Sequence, residues 1–152
     1  MEQNKNNLGS RYNQGKLEWS LVDFSALEPM VRVLMYGAHK YTIFEKEDGT
    51  QVKGSEITPE EAKELKIVSS GKNNWKKGLP ITEILDSLLR HITSLLNKED
   101  IDSESLLPHT GHILCNALFL SYMSEKRSDL DNREGIKINN DTNNSIVIMS
   151  KY

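Results

Sequence analysis

The chain of 152 residues has a single cysteine, Cys115, so no internal disulfide can form and a reducing, cytoplasmic setting is expected. It has no stretch near the roughly 18 consecutive apolar residues that a membrane-spanning helix needs. Its opening, Met1 to Gly15, also lacks the apolar centre of a secretory signal. Nor is there an excess of positive charge, since 19 basic residues face 22 acidic ones for a net charge of -3. That balance gives no general attraction to long nucleic acid or to an anionic membrane, although a small anion can still meet a local basic cluster.

What is present suffices for one domain, because 37% hydrophobic content can build one core once the polar ends are set aside. Residues 1–14, rich in Asn, Gln and Lys, have little to bury and are expected to be mobile or held by a partner. Residues 15–124 read as a helical domain with an insertion at 42–73. Residues 125–152 read as a polar tail in which Ile136-Lys-Ile138 and Ile146-Val-Ile-Met149 suggest a small hairpin or an arm onto a neighbour.

Three helices are expected within the domain. Leu27, Val31, Leu34 and Ala38 recur at helical spacing behind a capping box of Ser25 and Glu28, with Pro29 in the first turn, which predicts a helix from Phe24 to about Ala38. From Pro80 to Asn97, Ile81, Ile84, Leu85, Leu88, Ile92, Leu95 and Leu96 lie on one arc, the clearest amphipathic pattern in the chain. From Leu106 to Ser124, apolar residues cover nearly the whole circumference, so this helix has to be covered on nearly all sides. Two other helices hardly suffice for that. The expected architecture is therefore mainly α, a bundle of three long helices completed by oligomerisation. The insertion is expected to be a small α/β-hairpin: an Asp48-Gly49 turn between extended runs, then a short helix from Thr58-Pro59-Glu60-Glu61 to about Lys66.

Candidate chemistry centres on the third helix. His109, His112 and Asn116 are spaced i, i+3 and i+7, a polar stripe on an otherwise apolar surface. Each alone fits a satisfied structural residue as well as a site residue, but three together imply a hydrogen-bond network or a ligand and favour a site. Just upstream, Glu99, Asp100, Asp102 and Glu104 place four carboxylates within six residues. A magnesium ion on a polyphosphate needs only one or two of them. The bland alternative is a solvated acidic loop at a helix N-terminus. Manganese would suit the same oxygens. Zinc is ranked lower: His39, His91, His109 and His112 are available, but no Cys-x-x-Cys or His-Glu-x-x-His pattern supports it.

A second cluster is cationic and aromatic: Arg11, Lys16, Trp19, Lys40, Tyr41, Trp75, Lys76 and Lys77. Ammonium groups beside flat rings suit a ligand with phosphates and a base. Taken singly, Trp19 and Trp75 read as core-edge residues and the lysines as solvated. Asp86 and Arg90 are i, i+4 neighbours for which a surface ion pair is the simplest account.

Several motifs in order carry a resemblance. Arg11-Tyr-Asn-Gln-Gly-Lys16, Tyr36-Gly-Ala-His-Lys-Tyr41, Asn74-Trp-Lys-Lys-Gly78, Asp86-Ser-Leu-Leu-Arg-His91, Glu99-Asp-Ile-Asp-Ser-Glu-Ser105 and Pro108-His-Thr-Gly-His-Ile-Leu-Cys-Asn-Ala117 are similar to the dATP/dGTP diphosphohydrolase N-terminal domain family, found largely in phages. The similarity covers about residues 10 to 124. It implies a helical domain related to nucleotide pyrophosphohydrolases, working in the host cytoplasm. Such a domain would cleave a purine deoxynucleoside triphosphate to monophosphate and pyrophosphate with a divalent metal.

On that resemblance Asp86, Glu99, Asp102 and Glu104 are candidate metal ligands, and His109, His112 and Asp86 candidate catalytic groups. Lys16, Lys40, Tyr41, Asn74, Trp75, Lys76, Arg90, His91 and Asn116 are candidates for holding the nucleotide. Two departures stand out. About thirty residues separate Tyr41 from Asn74 where the family has a short link, and Leu106 replaces a glycine after Glu104-Ser105. Glu61-x-x-Glu64 with Glu83-x-x-Asp86 also matches the four-carboxylate signature of all-α nucleotide pyrophosphohydrolases, although its first half lies in the insertion. Two rivals stay open: a protein that sequesters a nucleotide or cyclic nucleotide signal without cleaving it, and a purely structural oligomer.

Overall fold

The computed structural model describes residues 14–134. Expectations for residues 1–13, Arg11 among them, and for the strands at 136–138 and 146–149 fall outside the described residues. Phe24–Gly135 form one compact unit. Gln14 to Asp23 lie outside it and carry one 3-10 turn, Trp19–Leu21.

The unit holds three α-helices, α1 (Glu28–Lys40), α2 (Ile81–Leu96) and α3 (His109–Lys126). It also holds a sheet of β1 (Ile43–Glu45), β2 (Gln51–Lys53) and β3 (Lys66–Ser69). The architecture is thus not a bundle of three long helices. The helices are of 13, 16 and 18 residues, and a three-stranded antiparallel sheet in the order β2-β1-β3 is a substantial part of the fold.

A 3-10 turn and the third strand take the place of the helix expected to run from Thr58 to about Lys66. Glu61 accepts both the backbone N–H and the hydroxyl of Thr58, at 2.7 and 2.8 Å. The helix-start signal is spent on a 3-10 turn, Glu61–Glu64, and Leu65 is already extended, with φ -100° and ψ 148°. The chain therefore runs straight into β3. The β1–β2 turn forms as its sequence predicts, with Gly49 at φ 82° and Asp48 Oδ1 accepting the Thr50 N–H.

Helix α1 starts later than expected. Leu27, not Ser25, is its N-cap, without a side-chain cap, and a 3-10 turn Phe24–Leu27 precedes it. Pro80 and Asn97 bound α2 as predicted. Helix α3 packs against both α1 and α2. Its contact with α1 is close, because a Cβ on Gly111 would stand 2.5 Å from the Pro29 carbonyl oxygen. Only glycine lets the two backbones meet there.

The core consists of Ile81, Ile84 and Met123, packed with Trp75, Leu79, Leu85, Phe119, Leu120, Tyr122 and Leu130. Burying each of the three central side chains stabilises the fold by about 1.5–3 kcal/mol. Leu130 lies past the expected domain end. Arg127 donates to the Lys77 carbonyl at 2.9 Å, and Asn132 Nδ2 donates to Thr82 Oγ1 at 2.8 Å, so the first part of the tail is tied to the start of α2. Within the single chain, α1 and α2 cover α3 only in part, leaving Ile113, Leu114 and Leu118 half-buried.

Candidate functional site

The end of α1, the loop after β3, one face of α2, the acidic loop and the middle of α3 enclose a cavity of about 880 Å³. That is the size range of small-molecule and cofactor sites. The loop after β3 is brought in by Gly71, whose N–H donates to the hydroxyl of buried Thr42 at 2.9 Å; that hydroxyl donates in turn to the Ala38 carbonyl at 2.7 Å. A Cβ at Gly71 would stand 2.3 Å from the Ala38 oxygen, so the loop can sit this close to α1 only with glycine. Neither Thr42 nor Gly71 stood out in the sequence, because their partnership spans 29 positions.

One wall is built from imidazoles. His91, buried on α2, stacks on His112 of α3 with ring centroids 4.4 Å apart and planes 16° apart. Its Nδ1 is 2.8 Å from the Nδ1 of His109, also buried. His91 and His112 line the cavity, whereas His109 meets His91 without lining it. Burial, reinforced by the neighbouring His112 and His109, pushes His91 down to about 4, and burial also lowers His112 against the opposing pull of Asp102. Both rings are thus neutral at physiological pH.

Ser105 links this wall to the acidic loop. Its hydroxyl donates to Asp102 Oδ2 at 2.7 Å, and its N–H reaches the same oxygen at 2.8 Å. With that proton committed to a carboxylate, Ser105 Oγ, 2.8 Å from His112 Nε2, accepts the proton that Nε2 carries. Burial alone would raise Asp102, but the two Ser105 bonds together with the neighbouring His112 and His91 outweigh it, and the carboxyl is held below its ordinary range. The sequence signal for Ser105 was its i+3 spacing from Asp102 and i+7 spacing to His112, which tie a loop to a helix only once the loop turns back.

That turn back is enforced by backbone bonds from Asp102 N to Leu107 O and from Leu106 N to Asp102 O, each 2.9 Å. Leu106 sits at φ 58°, in the left-handed region that favours glycine. This is the position where the resemblance implies glycine.

Beside the acidic loop the lining is cationic and aromatic. Lys40 pairs with Glu104 and lies 5.8 and 6.0 Å from the ring centres of Tyr36 and Tyr41. The bond between them raises Lys40 and lowers Glu104. Arg90, Lys72 and Asn74 also line the cavity. Trp75 reaches it too, yet its ring stacks on Phe119 at 4.7 Å and meets Tyr122 edge-on at 4.9 Å, so it belongs to the core as much as to the site. Asn116 lines the cavity while its amide donates to the His112 carbonyl at 2.9 Å. Cys115 does so as well, its thiol pushed up to about 12 by burial.

Other sequence candidates stand elsewhere. Asp86 and Glu99 are exposed and do not line the cavity. Lys76 is exposed, its ammonium 5.4 Å from the Trp75 ring centre. Lys16 is exposed in the segment outside the compact unit. Glu61 and Glu64 line a separate groove beside the β1–β2 turn, away from Glu83 and Asp86. Neither carboxylate set assembles at the cavity. Asp102 and Glu104 are there, but Glu104 is paired with Lys40 and Asp102 with Ser105. Of the four candidate carboxylates, Asp102 and Glu104 are therefore the two that the cavity offers to a magnesium ion. The donors that do converge among the described residues are His91, Asp102 and His109, within 4.8 Å of one another.

No helix among the described residues is long and apolar enough to cross a membrane. No solved structure gives a significant match. A protein from Salmonella phage PMBT28 named dATP/dGTP diphosphohydrolase is 28% identical over 125 residues. The match takes in 82% of this chain but 33% of that protein, so the chain spans about a third of that relative's length. The model of the dATP/dGTP diphosphohydrolase N-terminal family matches residues 6–133, a span that contains every wall of the cavity. The chain belongs to that family.

Proposed function

We propose that the cavity binds a purine deoxynucleoside triphosphate and that the protein cleaves it to monophosphate and pyrophosphate. The observation that carries this reading is the pairing, in one cavity, of a cationic and aromatic side with a wall of neutral imidazoles beside Asp102. Lys40, Arg90 and Lys72 neutralise the phosphates, and Tyr41 offers an exposed face to the base. Water attacks the α-phosphorus, and His91 or His112, each neutral, accepts the proton as the bond to the bridging oxygen breaks. Pyrophosphate leaves against the cationic side chains.

The test is incubation of the pure chain with each deoxynucleoside triphosphate and a panel of divalent cations. Release of pyrophosphate with monophosphate in equal amounts supports the reading. A nucleotide that binds tightly and is recovered intact supports sequestration instead. The absence of the four-carboxylate signature from the cavity favours that second reading. Self-association fits the half-covered face of α3 and the exposed Leu89 and Leu96 of α2, and light scattering tests it.

A further inference from the structure

We infer that His91, His109 and Asp102 form a binding site for one divalent transition-metal ion of the zinc class, set in the wall of the cavity. The three side chains come from α2, the first residue of α3 and the loop between them, and their ligand atoms converge within 4.8 Å. The two Nδ1 atoms, 2.8 Å apart, face one another. Two imidazole nitrogens at about 2.0–2.1 Å from one ion sit roughly 2.9–3.4 Å apart, so an ion enters with a small opening of this pair. Without an ion, a single proton holds the two lone pairs together. An ion replaces that proton.

The surroundings resemble a supported ligand set. Both Ser105 donors fall on Asp102 Oδ2, fixing the carboxylate, and Ser105 is itself held by His112. Such outer bonds orient ligands and tune affinity. His91 and Asp102 line the cavity and His109 does not, so an ion held by the three would be reached from the cavity, as in a reactive rather than a closed structural site. Two nitrogens and one carboxylate oxygen favour zinc, iron or nickel over magnesium, which demands oxygen. The inference goes beyond the nucleotide reading, and its test contains no nucleotide, so either can fail alone.

The untagged full chain is stripped with chelator, loaded with zinc or magnesium, passed through gel filtration and analysed for metal. The expected result is one zinc per chain and no retained magnesium. Asp102→Asn and His109→Gln should each lower zinc affinity more than tenfold, and Ser105→Ala by about tenfold without removing a ligand. Cobalt in place of zinc should give visible bands of nitrogen and oxygen coordination. No zinc retained by the wild type, or equal retention in both ligand variants, overturns the inference. Should those variants fail to fold, the wild-type cobalt spectrum decides: imidazole coordination supports the site, and no bands, or sulfur coordination from Cys115, overturns it.

Discussion

Lys40, the last residue of α1, and Glu104, in the loop before α3, form an ion pair across 64 positions of sequence, and both side chains line the cavity. The pair is partly exposed, at 31% and 67%, so it contributes at most about 1 kcal/mol to stability. Its consequence for binding is larger. An anionic ligand that takes the Lys40 ammonium has to displace Glu104, and Glu104 repels it.

Glu104→Gln should therefore tighten nucleotide binding a few-fold. Lys40→Met should weaken it about tenfold, the loss of one charge-assisted bond of roughly 1.5 kcal/mol. Isothermal titration with a nonhydrolysable triphosphate measures both. Weaker binding in Glu104→Gln would place that carboxylate on a cation rather than on Lys40.

The two aromatic candidates should separate by what they lose. Trp75 is packed between Phe119 and Tyr122 against the core, so Trp75→Ala should cost about 3 kcal/mol or more in chemical denaturation. Tyr41 is 56% exposed, and Tyr41→Ala should leave stability within about 0.5 kcal/mol. Its loss should instead weaken nucleotide binding at least about fivefold if a base stacks there. Unchanged affinity in Tyr41→Ala would remove it from the site.

Leu106 is held at φ 58° with 75% of its surface exposed, so its side chain gains little in exchange for left-handed strain of about 1–2 kcal/mol. Glycine relieves that strain at an entropic cost of roughly 0.5–1 kcal/mol. Leu106→Gly should raise unfolding free energy by about 0.5–1 kcal/mol, read from urea midpoints. A loss of stability would mean that the loop does not turn in this way.

Cys115 should be inert while the protein is folded. Its thiol is raised from 9.0 to about 12, so at pH 8 the reactive thiolate is about a thousandfold scarcer than for an ordinary thiol. Alkylation by iodoacetamide, followed by mass spectrometry, should be slow in buffer and complete in denaturant. Rapid labelling of the native chain would place Cys115 in a wetter environment than α3 provides.

Where the physics is local, the sequence was sufficient. Periodicity and Pro80 defined α2 to within a residue, Asp48-Gly49 defined its turn, and helical spacing put His112 and Asn116 together facing one cavity. Local signals failed where a side chain had two uses. Glu61 capped a turn instead of starting a helix, and the chain formed a third strand that helps make the sheet a substantial part of the fold.

Only the tertiary structure decided which acids line the cavity. Asp86 and Glu99 have the right chemistry but are exposed and do not line the cavity, whereas Asp102 is bonded by Ser105, which also meets the His112 imidazole. It also decided the meeting of His91 with His109, and of Gly71 with Thr42, since neither pair is adjacent on any one element. Periodicity fixes the face of a helix to which a residue belongs. What that face meets depends on packing between segments far apart in the chain, which no short window of sequence contains.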